Sequence, residues 1–184
     1  MYKAIIFLII INLVFYITAF SQIKRGDIFI STSNSLDGLL VQLFTNQRFF
    51  HTGIVLNPDT GWVVHSRPSG TEFTHRDIKK MVSEGKMKIL RYKKEFTPQQ
   101  RIQLLNNALA MDAQYNYVDM FKIVAHKITF GLLYKQTEGI TCVELVATLF
   151  QSIGLPIQDG ANDFLTVVNF LTSPKLEVVN IENN

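Results

Sequence analysis

The stretch at residues 139–146, Gly-Ile-Thr-Cys-Val-Glu-Leu-Val, organises our interpretation because it joins a helix start to the one cysteine of the chain. Thr141 and Glu144 have the Thr-x-x-Glu spacing of a capping box, in which two side chains accept hydrogen bonds from backbone N–H groups at a helix start. Cys142 then occupies the first helical position, where free N–H groups and the helix dipole favour a thiolate. We therefore expect an activated thiol, although a lone cysteine is also commonly an inert core residue.

The N-terminus has the pattern of an export signal. Lys3 precedes an almost unbroken apolar run at 4–20, and the small residue Ser21 follows it. We therefore predict a signal peptide at 1–21 and an exported domain at 22–184, in the periplasm or outside the cell. The run is also close to the length of a membrane-spanning helix, so an uncleaved anchor that holds the domain at the membrane or envelope is the alternative.

The charge and cysteine content narrow the class of protein. Without Lys3, the domain carries 17 basic and 15 acidic residues, too even a balance for a nucleic-acid-binding protein. A single cysteine cannot form an internal disulfide, so in an oxidising compartment it is a free thiol or pairs between chains. A free thiol there is a hazard unless it is buried or used. The sequence gives no indication of the oligomeric state.

A predicted β-hairpin carries two histidines. Two apolar runs flank an Asn-Pro-Asp-Thr-Gly turn, which is typical of a hairpin connection. If Leu56 faces Trp62, then Gly53 faces His65 and His51 lies one diagonal step away on the same face. A shift of one residue would separate the two histidines.

The remaining pattern predicts an α+β fold, with a small antiparallel sheet packed against helices. Further strands are predicted at 26–31, 87–92 and 176–180, helices at 36–44, 75–83 and 119–130 and from Pro98 onward, and a short apolar segment at 164–171. The inward stripe of the Pro98 helix is predicted to be Ile102, Leu105, Ala108 and Leu109. The segment 66–84 is polar and, its short helix apart, predicted to be irregular, so Glu72 and His75 are interpreted as exposed loop residues.

These residues suggest nucleophilic catalysis. A cysteine nucleophile needs a base that accepts its proton and a third group that orients the base. Cys142 is the candidate nucleophile, His51 or His65 is the candidate base, and the backbone N–H of Cys142 could stabilise an oxyanion. Zinc bound by the two histidines and the cysteine is the alternative, although the sequence contains none of the short-spacing ligand pairs typical of zinc sites.

Three motifs occur in a fixed order: Gly-Asp-Ile at 26–28, His-Thr-Gly-Ile-Val at 51–55 and Thr-Cys-Val-Glu-Leu-Val at 141–146. In this order they resemble the permuted papain-like amidases of the YaeF/YiiX type, within the NlpC/P60 superfamily. The resemblance runs from about residue 26 to residue 171. It implies a circularly permuted papain-like fold, in which the histidine strand precedes the cysteine helix.

The resemblance also implies roles for the candidate residues, with Cys142 as nucleophile and His51 as general base. The third residue of the family lies at the end of the next strand and is often Glu; His65 stands there, as in the Cys-His-His sites of the wider superfamily. The implied reaction is acyl transfer through a thioester, without a cofactor, on an amide or ester of a cell-wall peptide or lipid. A non-catalytic module that binds a lipid or peptide on the same fold is the second hypothesis.

Overall fold

Six antiparallel strands form the sheet in the described part of the chain, in the order β4-β3-β2-β1-β5-β6. The computed structural model describes residues 23–32, 47–67, 70–111, 141–159 and 165–181. The predicted signal peptide and the predicted helices at 36–44 and 119–130 lie outside these ranges. The strands are β1 (Ile28–Ser31), β2 (His51–Asn57), β3 (Trp62–Arg67), β4 (Gly70–His75), β5 (Met87–Tyr92) and β6 (Leu176–Val179).

The same ranges contain four helices, which complete the predicted α+β architecture. They are α1 (Ile78–Ser83), α2 (Pro98–Ala110), α3 (Cys142–Ser152) and α4 (Val167–Thr172). Among the described residues, no helix is long and apolar enough to cross a membrane.

The sheet is covered on both faces, and the alternation of β1 decides which side chain faces which layer. Ile28 and Ile30 point into the larger core, where α3 packs. Phe29 points the other way, into a smaller core that includes Ile78 of α1. All three side chains are fully buried, as expected for a strand that is paired on both edges and covered on both faces.

The start of α3 is as predicted. The Thr141 hydroxyl accepts from the Glu144 N–H at 3.2 Å, and the Glu144 carboxylate accepts from the Thr141 N–H at 2.8 Å. The first helical residue is Cys142, and the apolar side of the helix is buried against β2 and β3. The capping box therefore fixes where the cysteine sits relative to the sheet.

The predicted inward stripe of α2 is confirmed for Ala108, which is buried, and for Leu105, which packs against the larger core, and is wrong for the other two residues. Ile102 and Leu109 are 61% and 60% exposed, whereas the buried residues of the helix are Leu104 and Ala108. The buried face of α2 is rotated relative to the predicted one. Polar side chains of α2 face the end of α3, because the last carbonyls of α3 lack helical partners. The Gln100 amide donates to the Ile153 carbonyl at 3.0 Å, and two further bonds run from Gln103 and Asn107 to Ser152.

The hairpin register is confirmed next to the histidines and wrong at the turn. Gly53 pairs with His65, as predicted. Trp62, however, pairs with Asn57 rather than Leu56, because a bulge interrupts the ladder between Val55 and Asn57.

The prediction of an irregular segment at 66–84 is also wrong. Residues 70–75 form the edge strand β4, paired with β3 along its whole length, with Glu72 opposite His65. Its Gly-Thr-Glu-Phe-Thr-His sequence is polar because an edge strand exposes much of its surface. Glu72 therefore lies on a strand and is half-buried, while His75 is on the same strand and exposed. The short helix predicted at 75–83 is confirmed as α1, although it begins only at Ile78, after the Asp77 N-cap.

The Gly26-Asp27 motif has a structural role at the N-terminal end of β1. The Asp27 carboxylate is 3% exposed and accepts two hydrogen bonds from Arg91, at 2.8 and 2.7 Å. It also accepts from the Lys24 backbone N–H at 2.7 Å. Hydrogen bonding to Asp27 raises the pKa of Arg91. The pair ties β1 to β5, at the end of the strand opposite to Ser31, which pairs with His51.

Candidate functional site

The Cys142 sulfur lies against β2 where His51 is located. The thiol donates a long hydrogen bond to the Phe50 carbonyl, at 4.0 Å, and the Thr52 backbone N–H is directed at the same sulfur. The sulfur therefore contacts the backbone on both sides of His51. The backbone N–H groups of Cys142 and Val143, in the first turn of α3, also point at it. The helix start supplies donors to the sulfur as the sequence predicts.

The two hairpin histidines form a hydrogen-bonded pair. His51 Nε2 is 3.1 Å from His65 Nδ1, and the rings are nearly perpendicular with centroids 4.9 Å apart. On the far side, His65 Nε2 is 2.9 Å from the Thr74 hydroxyl. The contact of Thr74 with His65 was not predicted from the sequence because β4 was not predicted. An alternation of polar residues after the hairpin is the one signal that could have revealed β4.

This chain of contacts restricts where the protons lie. If Thr74 accepts from His65 Nε2–H, then His65 Nδ1 carries a lone pair and accepts from His51 Nε2–H. In that arrangement His51 Nδ1 has no proton and can act as a base. The same contacts also fit the reverse arrangement, in which the Thr74 hydroxyl donates to His65 Nε2 and His65 Nδ1–H donates to His51 Nε2. In either case the tautomers of the two histidines are coupled.

Gly53 makes the histidine pair possible. It lies in one row across the strands, between Phe29 of β1 and His65 of β3. A Cβ at this position would come within 2.6 Å of the Phe29 ring and 2.3 Å of the Val64 carbonyl oxygen. The ring therefore uses the space above the glycine, and its centroid is 6.0 Å from that of His51 and 6.3 Å from that of His65. Phe29 forms an apolar wall for both imidazoles.

Burial and charge keep both imidazoles neutral. The pKa of His65 is lowered to about 3, first by burial and then by the charges of Arg76 and Arg67. The pKa of His51 is lowered well below 6.5, first by burial, then by His65 and the same two arginines. At neutral pH the pair therefore holds no positive charge that could stabilise a neighbouring thiolate.

The expectation of an activated thiolate is wrong for the resting site. Burial raises the pKa of Cys142 to about 11, against the opposing effect of the N–H groups of Thr52, Cys142 and Val143. The residue is 7% exposed, so the loss of hydration outweighs the donors of the helix start. The sulfur rests as a thiol whose S–H is directed at the Phe50 carbonyl.

The zinc alternative gains no support from the side-chain arrangement. Within the described ranges, no three histidine, cysteine, aspartate or glutamate side chains are placed to hold a metal ion together. Cys142, His51 and His65 therefore do not fit a zinc site, and we derive no chemistry through a metal.

The described elements define an α+β protein with a small antiparallel sheet, a hydrogen-bonded histidine pair at one end of it, and a cysteine sulfur against the backbone on either side of His51. The fold is similar to that of a solved structure, the metalloprotein YiiX from Escherichia coli O157:H7 (DUF1105), with a TM-score of 0.62. The two chains share 18% sequence identity, over 88% of this chain and 98% of YiiX. At this identity the similarity shows a YiiX-like fold and nothing further. No protein-family model matches the chain, and no curated protein matches it in sequence.

Proposed function

We propose that this protein is a cysteine-dependent hydrolase or acyltransferase of the permuted papain-like type, within the NlpC/P60 superfamily. One observation carries the proposal: the buried sulfur at the start of α3 contacts the backbone of Phe50 and Thr52, the residues on either side of His51, whose imidazole is hydrogen-bonded to His65. The YiiX-like fold is consistent with it. In this proposal Cys142 is the nucleophile, His51 the general base and His65 the orienting residue.

The proposed reaction begins with proton transfer from the thiol to His51 Nδ1 as the sulfur attacks the carbonyl carbon of an amide or ester. The backbone N–H of Cys142 then donates to the oxyanion of the tetrahedral intermediate. When that intermediate collapses, the leaving amine or alcohol takes the proton from His51, and a thioester remains on Cys142. Water or another acceptor attacks the thioester and gives its proton to His51. The C–S bond then breaks, the acyl group leaves as an acid or as a new ester or amide, and the sulfur takes the proton back from His51.

We further propose that the domain at 22–184 acts after export, on a cell-wall peptide or a lipid at the envelope. The apolar run at 4–20 and the single cysteine support this location. Expression of the full chain followed by N-terminal sequencing of the mature protein tests it. Cleavage after residue 21 is the expected result, and an intact apolar run on a membrane-bound protein would favour the anchor.

An acyl probe tests the chemistry. An activated ester that leaves its acyl group on a thiol should label the wild-type protein and not Cys142→Ala, and His51→Ala should be labelled at least about 100-fold more slowly, as expected for loss of a general base. His75→Ala is the matched control, because His75 is an exposed histidine on β4 and its loss should leave labelling unchanged. Labelling of His51→Ala at the wild-type rate would rule out the proposed base.

The raised pKa of Cys142 favours a second candidate, a non-catalytic module that binds a lipid or peptide on the same fold. A binding module gains from a buried, neutral thiol because the thiol is not oxidised. It predicts that Cys142→Ser binds the ligand as tightly as the wild type, with no turnover by either protein. Turnover that is lost in Cys142→Ser would exclude this candidate.

A further inference from the structure

Two arginines lie beside the histidine pair. Arg67 ends β3, two residues after His65, and Arg76 follows β4. The guanidinium carbon of Arg76 is 5.5 Å from the centroid of the Phe29 ring, the same ring that forms the wall for both imidazoles. Both guanidinium charges act on both histidines, and Arg67 lowers the pKa of Arg76. The positive charges are therefore concentrated at the site.

Protein acceptors only partly compensate these charges. Arg67 Nε is 3.9 Å from the Glu72 carboxylate, an ion pair that is too long for a hydrogen bond and partly exposed. Arg76 Nε is buried and has no hydrogen-bond partner among the described residues. In the described part of the chain, Glu72 is the one carboxylate that acts to stabilise the charge of Arg76. Glu144 on α3 acts on Cys142 instead.

A buried guanidinium N–H without an acceptor is unfavourable, and such groups in native structures call for an explanation. The contact with Phe29 stabilises the positive charge of Arg76 but supplies no hydrogen-bond acceptor. A carboxylate or a phosphate would supply it once the side chains that cover Nε shift, because its oxygens match the fork of N–H donors on arginine. The missing partner has the chemistry of an oxygen anion.

We propose that Arg67 and Arg76 bind an anionic oxygen group, a carboxylate or a phosphate, on the substrate that Cys142 attacks. The proposal rests on the proposed function, since it places this group next to the His51–His65 pair. The bound anion would offset the two charges that disfavour protonation of His51. The base would then become stronger when the correct substrate is in place.

Three activated esters of equal acyl length test the selectivity: one with a neutral acyl end, one with a terminal carboxylate and one with a terminal phosphonate. We expect wild-type Cys142 to react with at least one anionic probe about tenfold faster than with the neutral one, since charge-assisted hydrogen bonds of arginine are strong. In Arg76→Gln the ratio of anionic to neutral rates should fall to near one. Arg76→Lys, which keeps the charge and loses the fork, should give an intermediate ratio.

Arg101→Gln is the matched control. Arg101 also lies over an aromatic ring, that of Phe96, at 5.6 Å, but on α2 and with no effect on either histidine. Its substitution should leave the ratio at the wild-type value. Equal rates for all three probes in the wild type, with Cys142 acylated, would overturn the anion site and leave the proposed hydrolase intact.

If no probe acylates Cys142, the proposed function is refuted. A second measurement, which does not depend on catalysis, still tests the anion site in that case. Thermal unfolding is followed in inorganic phosphate, in succinate and in chloride at equal ionic strength. We expect phosphate or succinate to raise the Tm of the wild type and of Arg101→Gln above the value in chloride, and not that of Arg76→Gln. The same Tm in all three salts for the wild type would overturn the anion site.

Discussion

Substitution of Gly53 by alanine tests the arrangement of the site through a single carbon atom. The new Cβ would lie 2.3 Å from the Val64 carbonyl oxygen and 2.6 and 2.7 Å from two carbons of the Phe29 ring. The oxygen belongs to the β2–β3 ladder and cannot rotate away. The ring could turn only by leaving the position in which it packs against His51 and His65. Either adjustment disturbs the histidine pair.

The magnitude follows from these contacts. Overpacking a filled core costs about 1–3 kcal/mol, and the upper end applies here because one of the two clashes is with backbone. We expect Gly53→Ala to lower the free energy of unfolding by about 3 kcal/mol. Displacement of a catalytic group by about 1 Å costs about 100-fold in rate, so acylation of Cys142 should fall by a similar factor.

Urea unfolding followed by far-UV circular dichroism measures the stability, with Gly154→Ala as the control. Gly154 has a φ of 73° and no neighbour within 4 Å of an added Cβ, so its substitution costs only the left-handed backbone strain, about 1–2 kcal/mol. Gly53→Ala should be the more destabilising of the two. If it is as stable as the wild type, the close packing of Phe29 over Gly53 does not hold the histidines in place.

Three further predictions concern ionisable side chains. The rate of Cys142 alkylation by iodoacetamide should keep rising with pH toward about 11, and a plateau near pH 8 would show that the helix-start donors outweigh burial. The pKa of His65 is lowered to about 3 in the folded state, so the free energy of unfolding should fall as the pH drops from 6.5 toward 3. In urea unfolding, His65→Gln should lose less free energy of unfolding than the wild type between pH 7 and pH 4. Asp27→Asn should cost about 3 kcal/mol because it removes the charge of a carboxylate that is 3% exposed and accepts two hydrogen bonds from Arg91. Glu84→Gln, at an exposed pair, should cost much less, and equal losses in urea unfolding would contradict this ranking.

The parts of the site that could be predicted from the sequence have local causes. The capping box of Thr141 and Glu144 requires only two side chains three residues apart, so the helix start at Cys142 follows directly. The Gly53–His65 register follows from a short turn and the two-residue period of strands. The bulge near Leu56 did not shift the histidines, because it lies on the turn side of them.

The parts that were missed depend on contacts between distant segments. β4 is polar because it is an edge strand, so its sequence resembles a loop, and Thr74 could not be assigned to His65 without it. The stripe of α2 was misplaced because Gln100 faces α3 to satisfy a carbonyl, which a hydrophobic pattern does not record. The pKa of Cys142 was misjudged for the same kind of reason. Helix-start donors are visible in the sequence, but the depth of burial is a property of the packed fold.

The neutral resting state of the site also explains how the single free cysteine could avoid oxidation. A thiolate in an oxidising compartment would be oxidised or would form mixed disulfides, because reactivity follows thiolate content and exposure. Burial of Cys142 with neutral histidines suppresses both. If Cys142 is the nucleophile of the proposed reaction, the same burial leaves it inactive unless the substrate changes the electrostatics of the site. An anionic substrate group at Arg67 and Arg76 would do so, by offsetting the charges that keep His51 from accepting the thiol proton. Protection of the thiol and selectivity for the substrate would then have one physical cause.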